Sequence, residues 1–301
     1  MPQTFYHQTG PVKDVSTIDT SALKDKVAII TGGCSGLGYC YAKALVTAGC
    51  FVVLADLTPP PEPFEEPCGI YVKCDVTVWA EQQTVFETAA QRSSTGKIDI
   101  VIANAGVAGP DIFTGLDDDV PQPPQTGMID VNVIGVIYTA KLAGWYFSRH
   151  HQDPLDGCLI LIGSIMGYID TQSSAIYSAS KFAIRGIMCC LRRKGVLRVN
   201  TIAPWMIETP IMSKDFLASI RPQLQQMGLD LALAEDAVGA VLRIATDRTI
   251  NGHSLAVVPR QLALTGYMDL DLDDFKSGSP ADTLQRAASA LDYSQFRHAL
   301  S

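Results

Sequence analysis

The sequence predicts an α/β fold: one doubly wound parallel sheet of about seven strands with helices on both faces. Two observations carry this. Apolar runs of strand length alternate with stretches whose apolar residues recur at about 3.6-residue spacing, and the first run passes straight into a cluster of glycines. Residues 1–24 are polar and unpatterned, and KVAIITGG (26–33) then reads as a buried strand. A helix follows over 39–48. CFVVLAD (50–56) and GIYVKCDV (69–76) are the next strands, with a Pro-rich loop at 58–68 between them, and a helix spans 80–92. IDIVIANAG (98–106) leads into a Pro, Gly and Asp-rich loop at 107–126, and a long helix runs over 128–150. CLILIGS (158–164), a helix over 174–194, RVNTIAP (198–204), a helix over 233–247 and SLAVV (254–258) complete the alternation. Strands are expected to stop near Arg260, leaving DLDLDDF (269–275) and an Ala-rich, helical piece near 281–300 as an appendage. No linker divides the pattern, so 1–24 reads as an N-terminal extension, 25–260 as one domain and 261–301 as a C-terminal extension.

Composition narrows the class. The chain has 301 residues, 47 % of them hydrophobic and 18 % charged, which excludes disorder, collagen and coiled coil for the whole. Its 23 basic and 31 acidic residues leave a formal charge of −8, unsuited to nucleic acid or anionic membranes. Arg192, Arg193 and Lys194 form the one basic cluster and read as a solvated helix end. The eight cysteines show neither a C-x-x-C pair nor zinc-ligand spacing, so reduced thiols and no metal are expected. MPQTFYHQTG lacks the features of a secretion signal. The apolar stretch 128–147 carries Asp130, Asn132 and Lys141, so no membrane span is expected and the location is read as cytoplasmic.

The chemistry concentrates at strand ends. Gly32, Gly33, Cys34, Ser35, Gly36, Leu37 and Gly38 link the first strand to the first helix. Glycines there let the backbone turn and approach a ligand, while a helix N-terminus offers free N–H groups to a pyrophosphate; a merely flexible turn is the plainer reading. Asp56, followed by Leu57, ends the second strand 24 residues past Gly32, close to the roughly 20 expected of a carboxylate on an adenosine ribose. It would repel a 2′-phosphate, and no Arg or Lys lies between Gly32 and Lys43, so NAD (NADH) is favoured over NADP. Asp75 and Val76 end the third strand, where they either reach an adenine or form a turn. Tyr177 and Lys181, four residues apart, share a helix face, and Ser164 ends a strand 13 residues upstream.

TGGCSGLG, CDV, the NAG of Asn104, Ala105 and Gly106, Asn132, Ser164, YSASK (177–181) and VNTIAP (199–204) fall in the order and spacing of the short-chain dehydrogenase/reductase (SDR) family. The resemblance covers about residues 24–260. The stretch from Tyr177 through GVLRVNTIAPW and the tail GYMDLDLDDF resemble its hydroxyprostaglandin dehydrogenase-like branch, common among fungal enzymes of secondary metabolism. It implies a single-domain Rossmann fold. It also implies that Tyr177 is the acid/base, that Lys181 lowers its pKa and holds the nicotinamide ribose, that Ser164 bonds the substrate oxygen and that Asn132 anchors a relay water. Moving a phenol from ~10 to ~7 takes about 4 kcal/mol, within reach of a nearby ammonium and a cationic nicotinamide. Pro204, Ile207 and Thr209 match cofactor-contacting positions. Trp205 departs from the glycine common there and implies a stiffer wall.

The segments expected to flank the reacting carbon are apolar: Ile165, Met166, Tyr168 and Ile169 after the serine, and Trp205, Met206, Ile211, Met212 and Phe216 after the sixth strand. They either line a site for a small hydrophobic alcohol or ketone or pack a lid helix. The expected activity is NAD-dependent oxidation of a hydrophobic secondary alcohol, or reduction of its ketone; the alternative is a cofactor-binding isomerase or cyclase with no net redox. Family members dimerise through the helices matching 128–150 and 174–194, so a homodimer is expected, with the tail covering the surface a tetramer would use.

Overall fold

The computed structural model describes residues 6–291 apart from 16, 66, 67, 94 and 173. Eight strands form one sheet in the order β3-β2-β1-β4-β5-β6-β7-β8. They are β1 (Val27–Thr31), β2 (Phe51–Asp56), β3 (Gly69–Lys73), β4 (Ile100–Ala103), β5 (Cys158–Ile162), β6 (Arg198–Pro204), β7 (Ser254–Val257) and β8 (Tyr267–Asp269). The first seven run parallel, and β8 pairs antiparallel with β7 through Leu255–Asp269 to Val257–Tyr267. The expected parallel sheet of about seven strands is present, and one expectation is corrected: the sheet continues past Arg260 with an eighth, antiparallel strand. The three residues of β8 are too few to show a period of two in the sequence.

Fully buried central strands need cover on both faces, and two cores supply it. On one face α1 (Gly36–Thr47) and a helix at Ala234–Thr246 bury Tyr41, Leu45, Ala237, Val241 and Ile244 on Ile30, Leu54 and Ile160. On the other, α2 (Trp79–Arg92), α3 (Val136–His150) and α4 (Ala175–Leu191) bury Val85, Phe86, Ala143, Phe147, Ile184 and Met188 on Ile29, Val101 and Leu159. In chain order α5 spans Lys214–Gln226, which the sequence reading missed, α6 is Ala234–Thr246, and α7 is Pro280–Ala290. Residues 292–300 of the expected tail helix lie outside the described residues.

The helix expected over 128–150 is interrupted. Gly127–Ile129 is a short helical turn, Asp130–Gly135 is a π-turn, and regular α3 starts at Val136. The Gly135 carbonyl accepts hydrogen bonds from Gln82 Nε2 (2.9 Å) and Thr139 Oγ1 (2.9 Å), which sustain the irregular turn. Helix α1 likewise begins at Gly36 rather than Tyr39, so the glycine loop feeds its first turn.

The order β2-β1-β4 places the chain reversal between β1 and β4, where an open α/β sheet leaves a crevice beyond its strand ends. The N-terminal extension is tied to the tail. Tyr6 Oη donates to Asp274 (2.5 Å), and the Val12 N–H donates to Asp269 (2.8 Å).

Candidate active site

Close backbone packing shapes the crevice. Gly32 has φ +60, and a Cβ there would lie 2.8 Å from Ala105 Cα; at Gly38 it would lie 2.1 Å from the Gly32 carbonyl oxygen. Only glycine lets β1, the head of α1 and the exit of β4 approach this closely. Asn104 locks the junction by donating to the carbonyls of Thr31 (3.0 Å) and Gly32 (2.9 Å), while Thr31 Oγ1 accepts from the Asn104 and Ala105 N–H groups.

Along the crevice runs a cavity of about 980 Å³, at the upper end of the range for small-molecule sites. Its wall includes Gly32, Ser35, Gly36, Leu37, Asp56, Leu57, Asp75, Val76, Asn104, Ala105, Gly106, Ser164, Tyr177, Lys181, Pro204, Ile207 and Thr209. These residues stand far apart in the chain, and the fold brings them together. Cys34 and Gly38 do not face the cavity. The Cys34 thiol is buried and its N–H donates to Asp56 Oδ2 (2.9 Å), and Gly38 packs behind the turn. The other Asp56 oxygen accepts from the Leu57 N–H (2.8 Å), so this carboxylate is aimed by backbone at the end of β2. Asp75 also serves its turn, with Oδ1 accepting from the Thr77 N–H and hydroxyl.

At the inner end, Ser164 follows β5 and its Oγ accepts from the Met166 N–H (3.2 Å), capping the three-residue helical turn Ile165–Gly167. Ser174 caps α4 through the Tyr177 N–H, which presents Tyr177 and Lys181 on one face. Burial raises the Tyr177 pKa above the usual phenol value, and the hydrogen-bonded Ser164 hydroxyl pulls the other way. Burial also pushes Lys181 down to about 8. Its Nζ donates to the Ile162 carbonyl (3.1 Å) and lies 5.5 Å from the Tyr177 ring centre. In the chain alone, burial is the largest influence on both groups and disfavours the charged form of each.

Asn132 stands behind the wall, 1 % exposed. Its Oδ1 accepts from the Val107 N–H (2.8 Å), and its Nδ2 donates to the Val107 carbonyl (2.9 Å) and Ser180 Oγ (3.1 Å). The side chain thus holds the strand exit against α4.

Ile165, Met166, Trp205, Met206 and Met212 line the cavity, with Ile211 and Phe216. Trp205, Met206 and Met212 also pack on Leu217 and Leu224 of α5, so lining and lid-packing are both true of them. Tyr168 is a correction: its hydroxyl turns away from the cavity to donate to Ser254 Oγ (2.5 Å). The sequence reading missed Val107, Ala108, Gly109, Val131 and Ser174 in the wall. Their signal was position, just after NAG, just before Asn132 or just before Tyr177.

A nicotinamide dinucleotide fits these residues. Gly32 and Gly36 present bare backbone in the cavity wall, and Lys181 has ammonium donors beyond the one engaged by Ile162.

Known proteins are similar to this chain at several levels. The family model for short chain dehydrogenase matches residues 26–218. A 5'-hydroxyaverantin dehydrogenase of Dothistroma septosporum is 32 % identical over 90 % of this chain and 94 % of its own length. Its counterpart in Emericella nidulans is 34 % identical over 87 % and 92 %. An NADP-dependent dehydrogenase of a Phoma species is 30 % identical over 90 % and 86 %. Among solved structures, the ligand-free aldohexose dehydrogenase of Thermoplasma acidophilum shares the fold, with a TM-score of 0.67 and 24 % identity over 79 % of this chain and 94 % of that one.

Proposed function

The chain belongs to the short chain dehydrogenase family, and from that premise we propose that it interconverts a hydrophobic secondary alcohol and its ketone with NAD(H), Tyr177 serving as the acid/base. One observation carries the reading: a half-buried phenol stands beside Ser164 and Lys181 where the glycine-lined and apolar parts of one cavity meet.

The dinucleotide would be held by the backbone of Ser35–Leu37, by Asp56, Leu57, Asp75 and Val76 at the adenosine end, by Asn104–Gly106 in the middle, and by Lys181, Pro204, Ile207 and Thr209 near its reactive end. When bound, it supplies or accepts a hydride. The protein handles the proton. Neutral Tyr177 donates from Oη to a ketone oxygen as that oxygen gains charge, and Ser164 Oγ steadies the same oxygen. In oxidation the phenol must first ionise, and Lys181 is the one cation among the described residues lining the cavity. The walls of Ile165, Met166, Trp205 and Met212 exclude water and favour apolar substrates over sugars.

Support for NAD comes from Asp56, a backbone-aimed carboxylate in the cavity wall that would repel a 2′-phosphate; among the described residues lining the cavity, no arginine and no lysine other than Lys181 is present to offset it. The NADP-dependent relative makes this a point to test. Absorbance of reduced cofactor, followed with NADH and NADPH against a panel of lipophilic ketones and alcohols, should show turnover that prefers NADH. Asp56→Ala should erode the preference by about tenfold, the scale of one lost charged contact. An unchanged ratio removes Asp56 from the assignment, and no redox turnover with any lipophilic substrate rejects the function.

A further inference from the structure

Beyond β8 the chain enters an acidic run, Asp271, Asp273 and Asp274, of which Asp273 meets α4 and Asp274 meets its C-terminal cap. Asp273 meets there the two elements that hold Ser164 and Tyr177. Its Oδ1 accepts from Arg185 Nε at 2.8 Å, and the same guanidinium donates to the Leu272 carbonyl. Arg185 lies one helical turn beyond Lys181 and two beyond Tyr177. The second oxygen, Oδ2, is 3.5 Å from Tyr168 Oη, whose ring lies 4.5 Å beneath the Arg185 guanidinium. Tyr168 closes the short turn that Ser164 caps, and its hydroxyl is anchored on Ser254, the first residue of β7. Gly167 in that turn sits so close to α4 that a Cβ would lie 2.8 Å from the Lys181 carbonyl oxygen. The Asp273 side chain is 6 % exposed and Arg185 27 %, so this pair escapes most of the screening that weakens surface ion pairs.

Resting on the roles assigned above to Ser164 and Tyr177, we infer that Asp273 is a positioning residue: it binds the Tyr168 turn and α4 into one unit and so sets where the serine hydroxyl meets the phenol. The neighbouring Asp274 offers a contrast. It pairs with Arg192 (3.0 Å) and Tyr6 at the far end of α4, seven residues beyond Arg185. Loss of Asp274 should loosen the tail without moving the active-site turn.

The test uses the full chain with Asp273→Asn, Tyr168→Phe, both together, and Asp274→Asn. Three quantities are read: kcat, NADH affinity by fluorescence titration, and the Tyr177 ionisation midpoint by NMR of tyrosine carrying ¹³C at Cζ, assigned by its loss in Tyr177→Phe. Asp273→Asn should lower kcat about tenfold and displace the Tyr177 midpoint while NADH affinity stays within about twofold, because small displacements of reacting groups cost rate more than binding. Tyr168→Phe should act alike, and the double variant should be no worse than either single one, as for members of one network. Asp274→Asn should lower the melting temperature and leave kcat and the midpoint unchanged. Normal kcat and midpoint in Asp273→Asn, or equal changes in Asp274→Asn, overturn the inference. Should Asp273→Asn fail to fold, Arg185→Lys, which removes the Nε donor to Asp273 and leaves the Tyr168–Ser254 bond in place, is read in the same way, and normal kcat and midpoint there overturn the inference. If the wild-type protein turns over no alcohol or ketone, the functional reading fails, and the NMR midpoint still decides the role of Asp273.

Discussion

Lys181 is held at an energetic disadvantage that its fold tolerates. Burial takes its pKa from 10.5 in the unfolded chain to about 8, so below pH 8 folding must bury a charge. At about 1.4 kcal/mol per unit this costs roughly 3 kcal/mol, and the penalty fades as pH rises from about 8 to 10.5, where the unfolded chain binds the extra proton. Wild-type stability should therefore rise across that interval relative to Lys181→Met. Denaturant unfolding at pH 7 and pH 10 measures it, and a gap between the two proteins that does not change with pH contradicts the buried charge. At this scale the sequence was readable where spacing along one element fixes contact. Tyr177 and Lys181 are four apart on a helix, and Asp56 ends the strand beside the glycine loop. It misled at Tyr168, because nearness to Ser164 in the chain does not say which way a side chain points. Ser254 and Asp273, which settle that direction, lie 86 and 105 residues away. Cys34 and Gly38 fall in the glycine motif yet face the interior, since a turn has an inside as well as a mouth.

Among the elements, the β1–α1 turn carries the tightest constraint. A methyl group at Gly38 meets the Gly32 carbonyl at 2.1 Å, where the obstacle is backbone and cannot rotate aside. Gly38→Ala should destabilise the protein by roughly 1–3 kcal/mol and weaken cofactor binding, whereas Gly186→Ala, with open space around it, should do neither. Melting temperature and cofactor titration compare the two, and equal behaviour would mean the turn is not packed as described. Most strands and helices announced themselves through period and composition. The π-turn at Asp130–Gly135 did not, because its support comes from Gln82, about fifty residues upstream. Nor did α5, whose short apolar face packs on loop residues such as Trp205 and Met206 rather than on the sheet.

For the molecule as a whole, the glycine crevice and the apolar cavity form one continuous space, and the tail reaches back to the helix that carries Tyr177. No helix among the described residues is long and apolar enough to cross a membrane. Ile137 and Trp145 on α3 and Phe182 on α4 are each more than 40 % exposed, a face suited to the expected homodimer. Light scattering should give twice the chain mass, reduced to the single mass by Phe182→Glu; a monomer in the wild type removes that interface. The proton step itself is tested most directly by comparing wild type with Tyr177→Phe, measuring turnover of a lipophilic ketone with NADH alongside NADH affinity. Removing only the hydroxyl should leave affinity essentially intact and lower turnover by at least about a thousandfold, within the range of a lost general acid. Turnover at the wild-type rate would contradict the assignment of the proton to this phenol.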